Sequence, residues 1–321
     1  MNEFFFKVER AGIFSTFQDE GFFNLQHLGI STGGVMDSNL FKLSNKLLNN
    51  DLNEGVIEFA YQGPRLKLIK GTAKIVISGN VHFTIEKNRS PHPNKEFIPF
   101  QTYELKEGDV LDILATKKSV YGYLAIQGGF KIEKFNNIAS TLTRSKIGAN
   151  RGNKISDDQM ICFLQQCKDN INYKVLYDHE KTTNTIRVIA GPQIDFFAKQ
   201  SINKFFSSTY KISNNTDRMG IRLEGDQIKN IKTPNIPSEG IVKGSIQIPG
   251  DGNPIVLMAD HPTIGGYPKI GTVILSDFSK ISQLLPGKKI SFKKITIVEA
   301  EKAFHKNERF LNNIFSQIQS I

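Results

Sequence analysis

Short, largely apolar runs recur through most of this chain, broken by polar stretches with Gly, Pro, Asn or Asp. Such runs occupy 73–78, 110–114, 121–126, 186–190, 255–258, 272–275 and 290–298. They are rich in β-branched and aromatic residues and bounded by turn formers, which predicts strands. Short strands at this density, with few long helices between them, argue for barrels or sandwiches over a parallel sheet. A helical period shows in few places. Asp37 can cap a helix running to about Asn50, with Leu40, Leu43 and Leu47 on one face. One or two short helices are expected between Pro192 and Phe206, and another over 277–285, stopped by Pro286. A C-terminal helix is expected from about Glu299, with Phe304, Leu311, Phe315 and Ile318 in a stripe.

The chain has 321 residues, a length that suits about two domains. Two turn-then-strand segments echo each other, Leu105-Lys-Glu-Gly108-Asp109-Val110 and Leu285-Pro-Gly287-Lys288-Lys289-Ile290, as do Gly63-Pro64 and Gly191-Pro192. With the polar stretch 165–185 as the boundary region, the expected domains are 1–172 and 173–321, both β-rich.

Composition narrows the function classes. The net charge is +10, but the excess is scattered lysine such as Lys67, Lys70 and Lys74. No arginine-rich arm, zinc-finger spacing or RNP-like aromatic strand accompanies it, so no nucleic-acid partner is expected. No run of about 18 apolar residues occurs, and the Phe-rich start meets charges at once, so neither a membrane span nor an export signal is expected. Cys162 and Cys167 have neither redox nor zinc spacing and fit a reducing cytoplasm. His82, His92, His179 and His305 stand apart, without metal-ligand spacing, so no metal site is expected.

Three stretches are rich in chemistry. In the first, Gln18-Asp19, His27 and Gly33-Gly34-Val35-Met36-Asp37 precede a helix. Paired glycines there could bring backbone N–H groups to an anionic ligand, or simply make a tight loop capped by Asp37. In the second, Asp217-Arg218-Met219-Gly220-Ile221-Arg222 offers two guanidinium forks, suited to a carboxylate or phosphate or to structural ion pairs. The third runs from Gln247-Ile248-Pro249-Gly250-Asp251-Gly252 to Asp260-His261-Pro262-Thr263-Ile264-Gly265-Gly266-Tyr267-Pro268-Lys269. It concentrates a carboxylate, an imidazole, a hydroxyl, two glycines, a phenol and an amine between apolar strands. That arrangement suits a site loop, or an elaborate turn satisfying its own backbone. Neither a Walker A motif nor a Gly-x-Ser-x-Gly elbow occurs.

Taken in order, these stretches resemble the KipA/PxpC family, also called allophanate hydrolase subunit 2. The matching blocks are Gln18-Asp19-Glu20-Gly21, Gly33-Gly34-Val35-Met36-Asp37, Ser140-Thr141-Leu142-Thr143-Arg144, Thr216-Asp217-Arg218-Met219-Gly220, 236–240, 247–252 and 260–268. The resemblance implies two cyclophilin-like β-barrel domains. It implies a cytoplasmic C subunit of an ATP-dependent 5-oxoprolinase that opens 5-oxoproline to glutamate. Partners would be a KipI-like subunit and a LamB/YcsF-type subunit, with ATP (and Mg) as cofactor. The module also occurs as half of a biotin-dependent urea or amide carboxyltransferase site, and as a regulatory antagonist of a KipI-like inhibitor; both stay open as alternatives. Asp260, Thr263, Tyr267 and Lys269 are the expected catalytic residues. Arg218, Arg222, Gln247, Gly265, Gly266, His27, Gly33 and Gly34 are the expected substrate-binding ones. On this expectation, Arg218→Ala would lower turnover about tenfold or more with the fold intact. The chain departs from the family where Phe22 and Val81 replace a usual Arg and Asp.

Overall fold

The structure is a computed structural model of the whole chain, and it describes residues 4–88, 97–164, 171–177, 183–233 and 235–321. His92, Cys167 and His179 lie outside the described residues. Among the described residues the chain is mainly β, as expected, with four α-helices: α1 (Ser38–Leu47), α2 (Lys199–Ser207), α3 (Leu275–Ser282) and α4 (Ile297–Ser316).

It forms two compact units, but not by a single cut. The first comprises Met1–Gly21, Asp37–His179 and Phe310–Ile321; the second comprises Phe22–Met36 and Glu180–Arg309. Each unit therefore contains chain from both sides of residue 180.

In the first unit, ten strands form two antiparallel five-stranded sheets. One runs in the order Met160–Phe163, Phe4–Arg10, Arg65–Lys70, Val110–Thr116, Val81–Glu86. The other runs Phe14–Gln18, Val56–Ala60, Tyr121–Ile126, Thr72–Ser78, Thr102–Lys106. Both sheets feed one core, which joins Phe6, Leu66 and Phe83 of the first to Phe17, Phe59 and Leu124 of the second. Arg65–Lys70 shows the period-2 logic: Leu66 and Leu68 are buried while Arg65 and Lys67 are not. Tyr121–Ile126 is buried at every position because α1 covers its other face. Leu40, Phe41, Leu43 and Leu47 of α1 are all buried. Asp37 caps this helix, its Oδ1 accepting from the backbone N–H of Asn39 at 3.1 Å and Leu40 at 3.2 Å.

The second unit is built on a closed seven-stranded barrel. Its order is Thr185–Ala190, Lys269–Val273, Ser245–Gln247, Ile255–Leu257, Gly220–Glu224, Thr209–Thr216, Lys289–Lys294. Antiparallel ladders join six of the seven neighbours, and a parallel pairing of Thr185–Ala190 with Lys289–Lys294 closes the ring. Ile186, Ile212, Ile221, Ile246, Val256 and Ile290 are buried in it. Phe205 of α2 stacks on Phe292 with ring centroids 4.7 Å apart.

Three sequence expectations need correcting, the first being the run 290–298, where the strand ends at Lys294 and Ile297 opens α4. The run 272–275 is not one strand: Lys269–Val273 is the strand, and Leu275 opens α3. In α4 the buried positions are Ala303, Leu311 and Ile314, whereas Phe304 is 38% exposed. The small Ala303, not the bulky neighbour, lies on the packed stripe. The helix starts earlier than Glu299 because Thr296 and Glu299 form a capping box: Glu299 N–H donates to Thr296 Oγ1, and Thr296 N–H to Glu299 Oε2.

Among the described residues, no helix is long and apolar enough to cross a membrane, and no cluster of three or more His, Cys, Asp or Glu could hold a metal.

Candidate functional site

In the second unit the outer wall of the barrel carries the polar residues. Register places Arg222, Ile255, Gln247 and Lys269 in one row across four neighbouring strands, through the pairs Arg222↔Ile255, Gln247↔Ile255 and Gln247↔Lys269. Their side chains share a face because residues paired across strands point the same way. Gln247 and Lys269 are buried under a two-stranded flap in which Glu239 pairs with Gly265 and Gly240 with Ile264. Arg222 stays exposed at the far end of the row.

Lys269 is 3% exposed, and its ammonium donates to Oε1 of Glu239. The same oxygen accepts from Gln193 Nε2 at 2.7 Å, while Gln193 Oε1 accepts from the Lys269 backbone N–H at 3.3 Å. These two donors hold the Glu239 carboxyl below its ordinary pKa, the lysine hydrogen bond first and the glutamine second. Gln247 closes the ring of contacts. Its carboxamide lies so close to Gly265 that a Cβ there would sit 2.5 Å from Nε2. Glycine at 265 thus leaves the carboxamide room to hold this position. Gln247 is 6% exposed, and its Nε2 finds no hydrogen-bond partner among the described residues. A buried amide donor left open costs about 1–3 kcal/mol, so an acceptor, a water or a ligand oxygen, fits this position.

A second polar group forms a brace. Arg218 donates to Asp260 from both Nε (2.9 Å) and Nη2 (2.8 Å), and Nη2 also donates to the Gly34 carbonyl at 2.7 Å. The backbones reciprocate, since the Asp260 N–H donates to the Arg218 carbonyl at 2.8 Å. Gly33 donates its N–H to the Ala259 carbonyl at 2.9 Å. Both glycines have positive φ, 61° and 80°, which lets the loop turn tightly against these partners. The Arg218 fork is thus engaged by the chain's own Asp260 and the Gly34 carbonyl, and the Gly33 N–H by Ala259.

The imidazole of His261, next to Asp260, is 1% exposed. Its Nδ1 lies 2.7 Å from the Pro262 carbonyl, so Nδ1 carries the proton. Burial, the leading cause, pushes its pKa down and keeps the ring neutral. Nε2 is buried without a partner among the described residues.

The remaining expected residues scatter. Thr263 is half-buried and its carbonyl accepts from the Ile241 N–H at 3.2 Å. Tyr267 is 40% exposed. His27 is exposed on the 3-10 turn Gln26–Leu28. Lys269, Gln247 and Gly265 thus meet in one cluster, Arg218, Asp260, Gly33 and Gly34 in another. Gly266 accepts from the Ile236 N–H at 2.8 Å through its carbonyl, fixing the flap. Glu239 and Gln193 are site residues that the sequence does not single out. Glu239 lies in the block 236–240, but nothing local marks it as the lysine's partner.

In the first unit, two sequence blocks also meet. Asp19 accepts from Ser140 Oγ at 2.5 Å, from the Ala139 N–H at 2.6 Å and from the Gly21 N–H at 2.9 Å, and Gln18 Nε2 donates to the Thr141 carbonyl at 3.0 Å. These contacts brace a turn. Arg144 is exposed.

Comparison with known proteins agrees with this architecture. Residues 28–294 match the family described as carboxyltransferase domain, subdomain A and B. The C subunit of the 5-oxoprolinase of Haemophilus influenzae is 31% identical over 302 residues, 94% of each chain. The urea amidolyase of Saccharomyces cerevisiae is 27% identical over 310 residues, which cover 89% of this chain but 16% of that protein. The crystal structure of the Kluyveromyces lactis urea carboxylase superposes with a TM-score of 0.86 at 24% identity, over 98% of this chain and 29% of that one. That likeness is one of fold.

Proposed function

The chain belongs to the carboxyltransferase-domain family of subdomains A and B, and from that premise we propose that it is the C subunit of a 5-oxoprolinase. The observation that carries the reading is the match along 94% of both chains to the C subunit of a known 5-oxoprolinase. The urea amidolyase, by contrast, contains the matching region as a small part of a much longer protein. A subunit implies other components, which we take to be a KipI-like and a LamB/YcsF-type protein in the cytoplasm.

5-Oxoproline offers a lactam carbonyl and a carboxylate, and the Lys269–Gln247 cluster has a donor for each. In this proposal Gln247 Nε2 donates to the lactam oxygen, orienting the ring, and the buried Lys269 ammonium holds negative charge. Thr263 and Tyr267, on the same loop, line the approach. Opening the ring breaks the C–N bond of an unactivated amide, with water adding at carbon and the nitrogen leaving as the amine of glutamate. ATP supplies the activation of the amide oxygen. Arg218 is already engaged by Asp260, and the Gly33 N–H by the Ala259 carbonyl. These residues do not make a triphosphate cradle, so the proposal assigns ATP and its Mg to another subunit.

A second reading, biotin-dependent carboxyl transfer to an amide, rests on the urea amidolyase match. Gln247 Nε2 suits a ureido carbonyl as well as a lactam one. The experiment is to combine the chain with its KipI-like and LamB/YcsF-like partners, ATP and 5-oxoproline, and to quantify glutamate and ADP. Glutamate formation lost when this chain is omitted supports the 5-oxoprolinase reading. Its absence from folded, associated subunits overturns it, and label exchange from carboxybiotin would then establish carboxyl transfer.

A further inference from the structure

Two ion pairs of the second unit, Arg218–Asp260 and Lys269–Glu239, differ in one physical respect. In Arg218–Asp260 both side chains are enclosed, at 5% and 13% exposure, and the arginine fork is filled from both sides. In Lys269–Glu239 the cation is enclosed at 4% while the carboxylate is 43% exposed. A buried ammonium needs a counter-charge, because leaving it alone carries a large desolvation penalty. It does not need this particular carboxylate. Glu239 meets its donors through one oxygen only: Lys269 Nζ and Gln193 Nε2 both converge on Oε1. Both donors belong to the barrel and the turn beside it, whereas Glu239 belongs to the exposed flap segment 235–240, of which only Ile236 is even half-buried among the described residues. Beyond them, Gln247 Nε2 stands open and buried against Gly265, the residue that pairs with Glu239.

We propose that Lys269 Nζ and Gln193 Nε2 form a carboxylate-binding site that the chain fills with its own Glu239, and that an incoming small carboxylic acid exchanges with that side chain. The exchange conserves charge, one carboxylate for another on the same ammonium, and needs only a rotation of the half-exposed glutamate into water. An acid that also carries a neutral carbonyl gains the Gln247 donor, which Glu239 does not use. The preferred class is therefore a small acid bearing an amide or lactam, and plain monocarboxylates bind more weakly. The identity of that acid as 5-oxoproline rests on the function proposed above; the self-occupied site does not. Glu239 competes with substrate, so it sets affinity and keeps the buried lysine neutralised between turnovers.

The test titrates the full-length chain with 5-oxoproline and, separately, with acetate. Binding is followed through the side-chain amide NMR signals of Gln193 and Gln247, and the melting temperature of each variant confirms folding. Glu239→Gln keeps the shape and removes the competing charge. It should tighten binding of both acids about tenfold, with the Gln247 signal moving only for 5-oxoproline. Adding Lys269→Met should abolish binding. If that double variant does not fold, Gln193→Leu in the Glu239→Gln background should lower affinity instead. Equal or weaker binding by Glu239→Gln, no binding by any variant, or binding that survives loss of Lys269 would each overturn the proposal. Glu239-dependent binding of 5-oxoproline without turnover by the assembled complex would leave the carboxylate site standing and remove the oxoprolinase reading. Turnover with a KM unchanged by Glu239→Gln would do the reverse.

Discussion

Arg218 and Asp260 hold each other twice, by a two-pronged side-chain ion pair at 2.8 and 2.9 Å and by a backbone hydrogen bond at 2.8 Å. Removing the guanidinium would strand a nearly buried carboxylate and the Gly34 carbonyl. Arg218→Ala should therefore destabilise the second unit by about 3–5 kcal/mol, read by chemical denaturation. Loss of turnover should track loss of folded protein. The sequence alone suggests an intact fold with damaged chemistry; a variant that melts like the parent but turns over poorly would restore that view.

Asp37 is expected to matter through its cap. Asp37→Ala should cost about 1 kcal/mol, since two N–H groups at the start of α1 lose their acceptor. Asp37→Asn should be close to neutral, because asparagine caps equally well. Equilibrium denaturation of the two variants side by side distinguishes capping from any general effect of altering this position.

At Gly265 the expectation is functional rather than structural. An added methyl would meet Gln247 Nε2 at 2.5 Å, and the end of a flexible side chain can move aside. Gly265→Ala should leave the denaturation midpoint nearly unchanged and displace the carboxamide. Loss of one hydrogen bond to substrate would raise KM about tenfold, roughly 1.4 kcal/mol. Steady-state kinetics of the assembled complex checks it.

His261 predicts a pH dependence. Burial lowers its folded pKa below the ordinary value of 6.5. The unfolded chain then binds a proton more readily than the folded one. The stability linked to neutral His261 is complete above about pH 6.5 and is lost as pH falls through the lower folded pKa. His261→Asn, which retains a donor for the Pro262 carbonyl, should be less stable at pH 8 and should lose less on acidification. Melting curves between pH 8 and pH 5 give the comparison.

What is legible in the sequence is local. The Asp37 cap and the strands at 121–126 and 186–190 are written in neighbouring residues, and the structure holds each at its expected place. The Thr296–Glu299 capping box is equally local. Long-range pairings are not legible in this way. No periodicity in 22–36 says that Gly33 will meet Ala259 or that Gly34 will meet Arg218, so assignment of this early segment to the second unit is out of reach. Glu239 is one exposed acid among many until the register of two short strands sets it over Lys269. Phe304 misleads because a stripe of large residues outweighs small Ala303 on the page, and helix packing accepts either.

The parallel seam that closes the barrel also sets a clock. Thr185–Ala190 leaves the ribosome about a hundred residues before its partner Lys289–Lys294. Until then the first strand has an edge with nothing to pair against, and the ring stays open however well its antiparallel hairpins have formed. The second unit cannot exist as a barrel while that stretch is still being made. A nascent chain stalled anywhere short of Lys289 leaves the free edge of Thr185–Ala190 open to strands of other chains.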